Sequence, residues 1–118
     1  MAKTPKPLTR EAILGADDLK RIKVDVPEWG GDLYVQCMTG TDRNSFFEAT
    51  KSEGDNSVLM HAGLLVRSLV DADRVRIFSD EDAPALAEKS PLVLYRIMEV
   101  ALAVNGMGAD AAEAAAGN

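Results

Sequence analysis

The stretch RIKVDVPEWGGDLYVQC, residues 21–37, decides how the rest of the chain is read. Ile22, Val24 and Val26 alternate with Lys23 and Asp25, the period-two signature of a half-buried strand. Pro27 stops that strand and the glycine turn PEWGGD follows at 27–32. Leu33, Val35 and Cys37 then alternate with Tyr34, Gln36 and Met38. Two alternating runs around such a turn predict an antiparallel β-hairpin. Trp29 stands in the turn, where a large aromatic is either folded back as a lid on the core or displayed as a contact.

Outside this stretch the apolar spacing becomes helical. Upstream, Thr9 caps a short helix carrying Ile13 and Leu14, with Gly15 weakening its end. Downstream, Thr39-Gly40-Thr41-Asp42 opens a helix with Phe46 and Phe47 that runs to about Lys51, and the polar run 52–57 breaks it. A cap at Asn56 or Ser57 starts the longest apolar segment, 58–70, predicted as one helix. Val58, Ala62, Leu65 and Leu69 share a face, Leu59, Val66 and Val70 lie beside it, and His61, Arg67 and Ser68 are its polar residues. Residues 75–78 are predicted as an extended piece added to the hairpin. Ser79 before Asp80-Glu81-Asp82 caps a helix to about Lys89. Ser90-Pro91 opens another over 91–105, with Val93, Ile97, Val100 and Val104 on one face, Leu94, Met98 and Ala101 adjoining, and Gly106 as its stop. The expected fold is α+β and mainly α-helical, a small N-terminal antiparallel hairpin packed with about four to five helices. Residues 1–8 are expected to be a flexible arm, 9–107 a single domain, and 108–118 an Ala-rich C-terminal tail.

Composition agrees and narrows the function classes. The 118 residues give room for one core, 47% of them are hydrophobic, and seventeen alanines against six aromatics favour helix. The net charge of −6 repels phosphate backbones and argues against a nucleic-acid partner. It divides into +2 over residues 1–26 and −8 over 27–118. A lone cysteine excludes an internal disulfide, and with a lone histidine it excludes a zinc site of the usual ligands, which fits a reducing compartment. No apolar run approaches a signal-peptide core or the ~20 residues of a membrane span.

Groups for catalysis are scarce. His61, on the apolar helix, reads as a structural histidine, a pH-sensitive contact or a base. Cys37 reads as a small core residue. Asp80-Glu81-Asp82, and Asp71 with Asp73, lack the glycine and distal glutamate of a calcium loop. Gly106, Gly108 and Ala111 match a dinucleotide pattern, but the match follows a helix where a strand is required. No catalytic residue, cofactor or metal is expected. The apolar surplus of the two long helices instead suggests surface for another chain, self-association included. The candidate partner-binding residues are Trp29, Val58, Leu59, Leu65, Val66, Leu69, Leu94 and Met98, each of which has a plain reading as core.

The stretches LTREAILGADDL at 8–19, VPEWGGDLYVQCMTGTDRNSFF at 26–47 and FSDEDAPALAEKSPLVLYRIMEVALAVNGM at 78–107 resemble the tail assembly chaperones of long-tailed bacteriophages with non-contractile tails, and of related prophages. The resemblance implies a non-enzymatic protein of the host cytoplasm, absent from the mature virion. It implies binding of the tape measure protein, whose long helical chain it keeps soluble, and recruitment of tail tube subunits, mainly through a longer form made by ribosomal frameshift. This chain looks like the short form. The alternative reading is a structural head-tail connector or tail completion component of the particle.

Overall fold

A computed structural model describes residues 7–53 and 57–107. The described residues form helix α1 (Arg10–Gly15), strands β1 (Arg21–Val26) and β2 (Gly31–Gln36), helices α2 (Gly40–Glu53) and α3 (Ser57–Ser68), strand β3 (Leu69–Val70), and helices α4 (Ala83–Leu86) and α5 (Pro91–Val104). Short 3-10 turns precede β2 and α4. The α+β, mainly helical class is thus the observed one. The expectations for residues 1–6 and 108–118 lie outside the described residues.

The hairpin forms with Ile22 opposite Val35, Val24 opposite Leu33 and Val26 opposite Gly31. Its turn is a 3-10 turn, Pro27–Trp29, ended by Gly30 at φ 80°, a left-handed conformation that favours glycine. Val26, Leu33 and Val35 face a core completed by Leu65, Val66 and Leu69 from α3 and β3 and by Ile97 and Ala101 from α5. Each large side chain among these contributes roughly 1.5–3 kcal/mol by leaving water.

The segment 58–70 departs from its predicted form. The helix ends at Ser68, and Leu69 and Val70 become a third strand in the order β1-β2-β3, antiparallel to β2, with Tyr34 opposite Val70. The physical reason is pairing on both sides. The Ile77 N–H donates to the Leu69 carbonyl at 3.1 Å and the Asp71 N–H to that of Val75 at 2.9 Å, so the local backbone finds its partners in sheet geometry. The extended piece 75–78 therefore bridges to Val70 through Arg76 and does not join the hairpin directly.

Three smaller corrections follow from the same packing. Strand β2 ends at Gln36, which leaves Cys37 half-buried and turns Met38 into the core. Arg67 and Ser68, read as polar residues of an otherwise apolar helix, are buried. Residues 80–89 form a 3-10 turn and one short helix ending at Leu86. Their start matches expectation: Ser79 and Asp82 close a reciprocal capping box, the Ser79 N–H donating to Asp82 Oδ2 at 2.9 Å.

Candidate functional site

Of the eight candidate residues, the structure separates core from surface. Leu65, Val66, Leu69, Leu94 and Met98 are buried, because α3 and α5 turn their broad apolar stripes onto each other and onto the sheet. They cannot form a continuous surface groove on this chain. Leu59 is half-buried and Val58 exposed at the start of α3, and Trp29 is 37% exposed. Trp29 is accordingly both a partial lid and a displayed ring.

Two apolar concavities stand out among the described residues. The first, about 280 Å³, lies between α2, α3 and the end of α5; Phe46, Phe47, Met60, His61, Leu64 and Met98 line most of it, with Met107 at the rim. Three of the five methionines of the chain thus meet at one hollow. Beside it, between the lining residues Leu102 and Met107, the Asn105 side chain makes three uncharged hydrogen bonds. The Met38 N–H donates to Asn105 Oδ1 at 2.7 Å, and Asn105 Nδ2 donates to Ser68 Oγ at 3.1 Å and to the Ala101 carbonyl at 2.8 Å. Arg43 donates to the Asn105 carbonyl at 3.1 Å and lies over the Phe47 ring. Gly106, at φ 68°, lets the chain reverse after α5. The Met107 N–H then returns to the Leu102 carbonyl at 2.8 Å and that of Gly106 to Ala103 at 3.1 Å, a Schellman ending that carries Met107 to the hollow.

The second concavity is a two-lobed cleft at the hairpin turn. Glu28, Trp29, Phe78, Leu86 and Lys89 line a lobe of about 410 Å³. Trp29 and Phe78 are shared with a smaller lobe of about 180 Å³ that reaches Val26, Leu33 and Ile77. The turn is fixed to α5 by a two-pronged ion pair, Arg96 Nη1 and Nη2 donating to the Glu28 carboxylate at 2.7 and 2.8 Å. The hydrogen bonds from Arg96, and behind them that of Glu28's own backbone, hold the Glu28 carboxyl down at about 2.

A charged cluster ties the regions together. Arg67, with a 5% exposed side chain, reaches Asp80 Oδ2 at 3.3 Å, Ser45 Oγ at 3.0 Å and the Gly63 carbonyl at 2.8 Å. Arg76 donates to Asp80 Oδ1 at 2.7 Å and to the Val66 carbonyl at 3.0 Å. The bond from Arg76, then those of Ser45 and Arg67, lower the Asp80 carboxyl below its ordinary range against the opposing effect of burial. These carboxylates are engaged in structure. Among the described residues, no three His, Cys, Asp or Glu side chains gather as a metal site, and no helix is long and apolar enough to cross a membrane.

The methionine hollow was absent from the sequence reading. Its signal was Phe46-Phe47 adjoining, in one half of the chain, with Met60, Met98 and Met107 in the other, but nothing local joins positions sixty residues apart.

A family model described as phage tail assembly chaperone matches residues 9–116. The solved structure titled "Structure of bacteriophage HK97 tail assembly chaperone" superposes with a TM-score of 0.60 at 21% identity, covering 80% of this chain and 90% of that one. That likeness is one of fold. No curated protein matches the chain.

Proposed function

The chain belongs to the phage tail assembly chaperone family, and from that premise we propose that it binds the tape measure protein, keeps that chain soluble, and helps recruit tail tube subunits around it. It does so as a non-enzymatic, self-associating protein of the host cytoplasm that is absent from the finished virion, with recruitment mainly the task of a frameshifted longer form. Residues 9–107 act as the single folded unit, between an arm at 1–8 and a tail at 108–118.

The observation that carries this reading is the methionine-lined hollow. Unbranched thioether side chains repack around differently shaped apolar groups, which suits a surface that must hold many segments of one long helical partner. Phe47, 43% exposed at its edge, supplies a rigid contact. Val58, exposed, and Leu59, half-buried, lie in the first turn of the helix that bears Met60. The −8 of residues 27–118 keeps a loaded complex dispersed.

Co-expression of the tape measure protein from the same phage tests the reading. With the wild-type chain the partner is expected in the soluble fraction and in the same purified complex. Phe47→Asp, which changes an exposed side chain, is expected to reduce co-purification severalfold without unfolding the protein. Tape measure protein that stays insoluble and unbound beside wild-type chain overturns the proposal. Copies of the chain in purified particles would overturn its absence from the virion.

A further inference from the structure

Strand β1 has a free edge. It is the outermost strand in the order β1-β2-β3, so only one of its sides is paired. The Cys37 N–H donates to the Lys20 carbonyl at 2.9 Å, in register with the β1–β2 ladder. Hydrogen-bonded and non-hydrogen-bonded pairs alternate along an antiparallel ladder. Ile22, Val24 and Val26 therefore bond inward to β2, and the N–H and C=O groups of Arg21, Lys23 and Asp25 point outward. Among the described residues, none of these outward groups has a hydrogen-bond partner.

An edge of this kind is a template for another strand unless its side chains repel one. The order of charges on β1 is instead self-complementary. A second copy of RIKVDV laid antiparallel must set outward-facing residues against outward-facing residues, which leaves few registers. A two-fold axis at Lys23 opposes lysine to lysine, one at Asp25 opposes aspartate to aspartate, and one at Ile22 opposes Arg21 to Lys23. Like charges opposed in this way are destabilising. An axis at Val24 opposes Lys23 to Asp25 twice and no like charges at all. On the other face of the same ladder, Ile22 then meets Val26 of the second copy and Val24 meets Val24. Ile22 is 36% exposed and Val24 half-buried in the single chain, so both gain apolar neighbours.

Within the hairpin Asp25 also lacks a cation. It stands opposite Asp32, and the nearby Lys23 is paired with Asp32 at 3.2 Å. An ammonium group has three donors, so Lys23 of a second copy can reach Asp25 while keeping its own Asp32. We infer that two copies join through β1 in this register, forming one continuous antiparallel sheet across a two-fold axis at Val24. The contact is isologous and closes at two copies. One short strand pair buries less than the ~800 Å² per partner of a stable interface, so the dimer is weak and reversible. The inference rests on the self-association proposed above, for which it names one contact.

Disulfide capture in the full chain tests it on a Cys37→Ser background, where the introduced thiol is the only one. Opposed residues of a non-hydrogen-bonded pair have Cα atoms about 4.5 Å apart, a span a disulfide can close. Val24→Cys/Cys37→Ser is expected to give linked dimer on mild oxidation at chain concentrations up to about 1 mM. Ile22→Cys/Cys37→Ser is expected to stay unlinked although its position is more exposed, because the two copies of residue 22 lie four residues apart along the ladder, about 13 Å. Adding Lys23→Asp or Asp25→Lys to the Val24→Cys chain is expected to slow linking roughly tenfold, since each opposes like charges twice. Mixing those two chains is expected to restore the rate, because every opposed pair is then of opposite sign. An unlinked Val24→Cys chain, equal linking at positions 22 and 24, or a mixture no faster than its components overturns the inference. Light scattering is read on the same samples. Assemblies that form without linking at position 24 strike this contact and leave self-association standing, whereas a chain monomeric at every concentration strikes both.

Discussion

The two concavities are built on opposite principles. The methionine hollow has soft, adaptable walls and adjoins a buried hub, where the Asn105 side chain makes only uncharged hydrogen bonds. The Trp29 cleft has a rigid aromatic wall held by a surface ion pair between Glu28 and Arg96. Buried neutral hydrogen bonds are insensitive to salt and to pH in the ordinary range, and they are costly to break because their partners are left dry. An exposed ion pair contributes little to global stability, is screened by salt and is switched by acid. The difference assigns the hollow to the stability of the whole domain and the cleft to local order of one turn.

The largest expected effect comes from removing the hub. Asn105→Ala leaves the Met38 N–H and Ser68 Oγ buried without that partner, at about 1–3 kcal/mol each. A total of about 3 kcal/mol is expected, or a fall in Tm of roughly 15 °C. Urea and thermal unfolding measure it. A loss below a fifth of that would mean that the hollow does not depend on Asn105 and would erase the contrast.

An intermediate effect is expected from Asp80→Ala. Breaking a fully buried ion pair costs about 3–5 kcal/mol, because the remaining charge has no compensation. Here Arg67 is buried but Asp80 is 37% exposed, so solvent shares the charge and about 2 kcal/mol is expected. Because Asp80 joins α3 through Arg67 to the segment carrying Phe78 and Arg76, hydrogen exchange should rise on both sides of the cluster. Exchange that rises only next to residue 80 would show that the two regions are not coupled through it.

What could be read from the sequence follows the same divide between local and distant. The hairpin was legible because alternation, Pro27 and the paired glycines all lie within seventeen residues. The start of α5 was legible because Ser90-Pro91 is a local signal, and its end because Gly106 is the only residue type that reverses the chain there cheaply. Leu69 and Val70 were misread because apolar spacing continues through them, while the strands that claim them come from Tyr34 and Arg76. Arg67 was read only as a polar residue of the apolar helix, because its partners, Ser45 and Asp80, lie 22 and 13 residues away in sequence. An apolar surplus was visible in composition. Its division into core and two separate concavities was not, since that depends on which stripes of α3 and α5 face each other.

The smallest effect on stability, and the sharpest on the contrast, is expected from acid. Glu28 in the folded chain titrates at about 2, below its ordinary 4.5. A carboxyl whose folded value is depressed stabilises fully above the unfolded value and loses that contribution as pH falls toward the folded one. The tie between the turn and α5 is therefore intact above about 4.5 and released as pH approaches about 2. Trp29 is the only tryptophan in the chain and follows Glu28 directly, so its emission reports the turn without a label. Its signal is expected to change at the acid end of that window in wild type. Arg96→Met keeps an apolar stem along α5 but removes the donors that hold Glu28 down, so the transition should move up toward 4.5 and lose its salt dependence. Asn105→Ala should leave the midpoint where it is, provided the reading is made at a temperature where that variant is folded. If Arg96→Met leaves the midpoint unmoved, the turn is held by its own 3-10 geometry and Gly30, and the cleft is as independent of charge as the hollow.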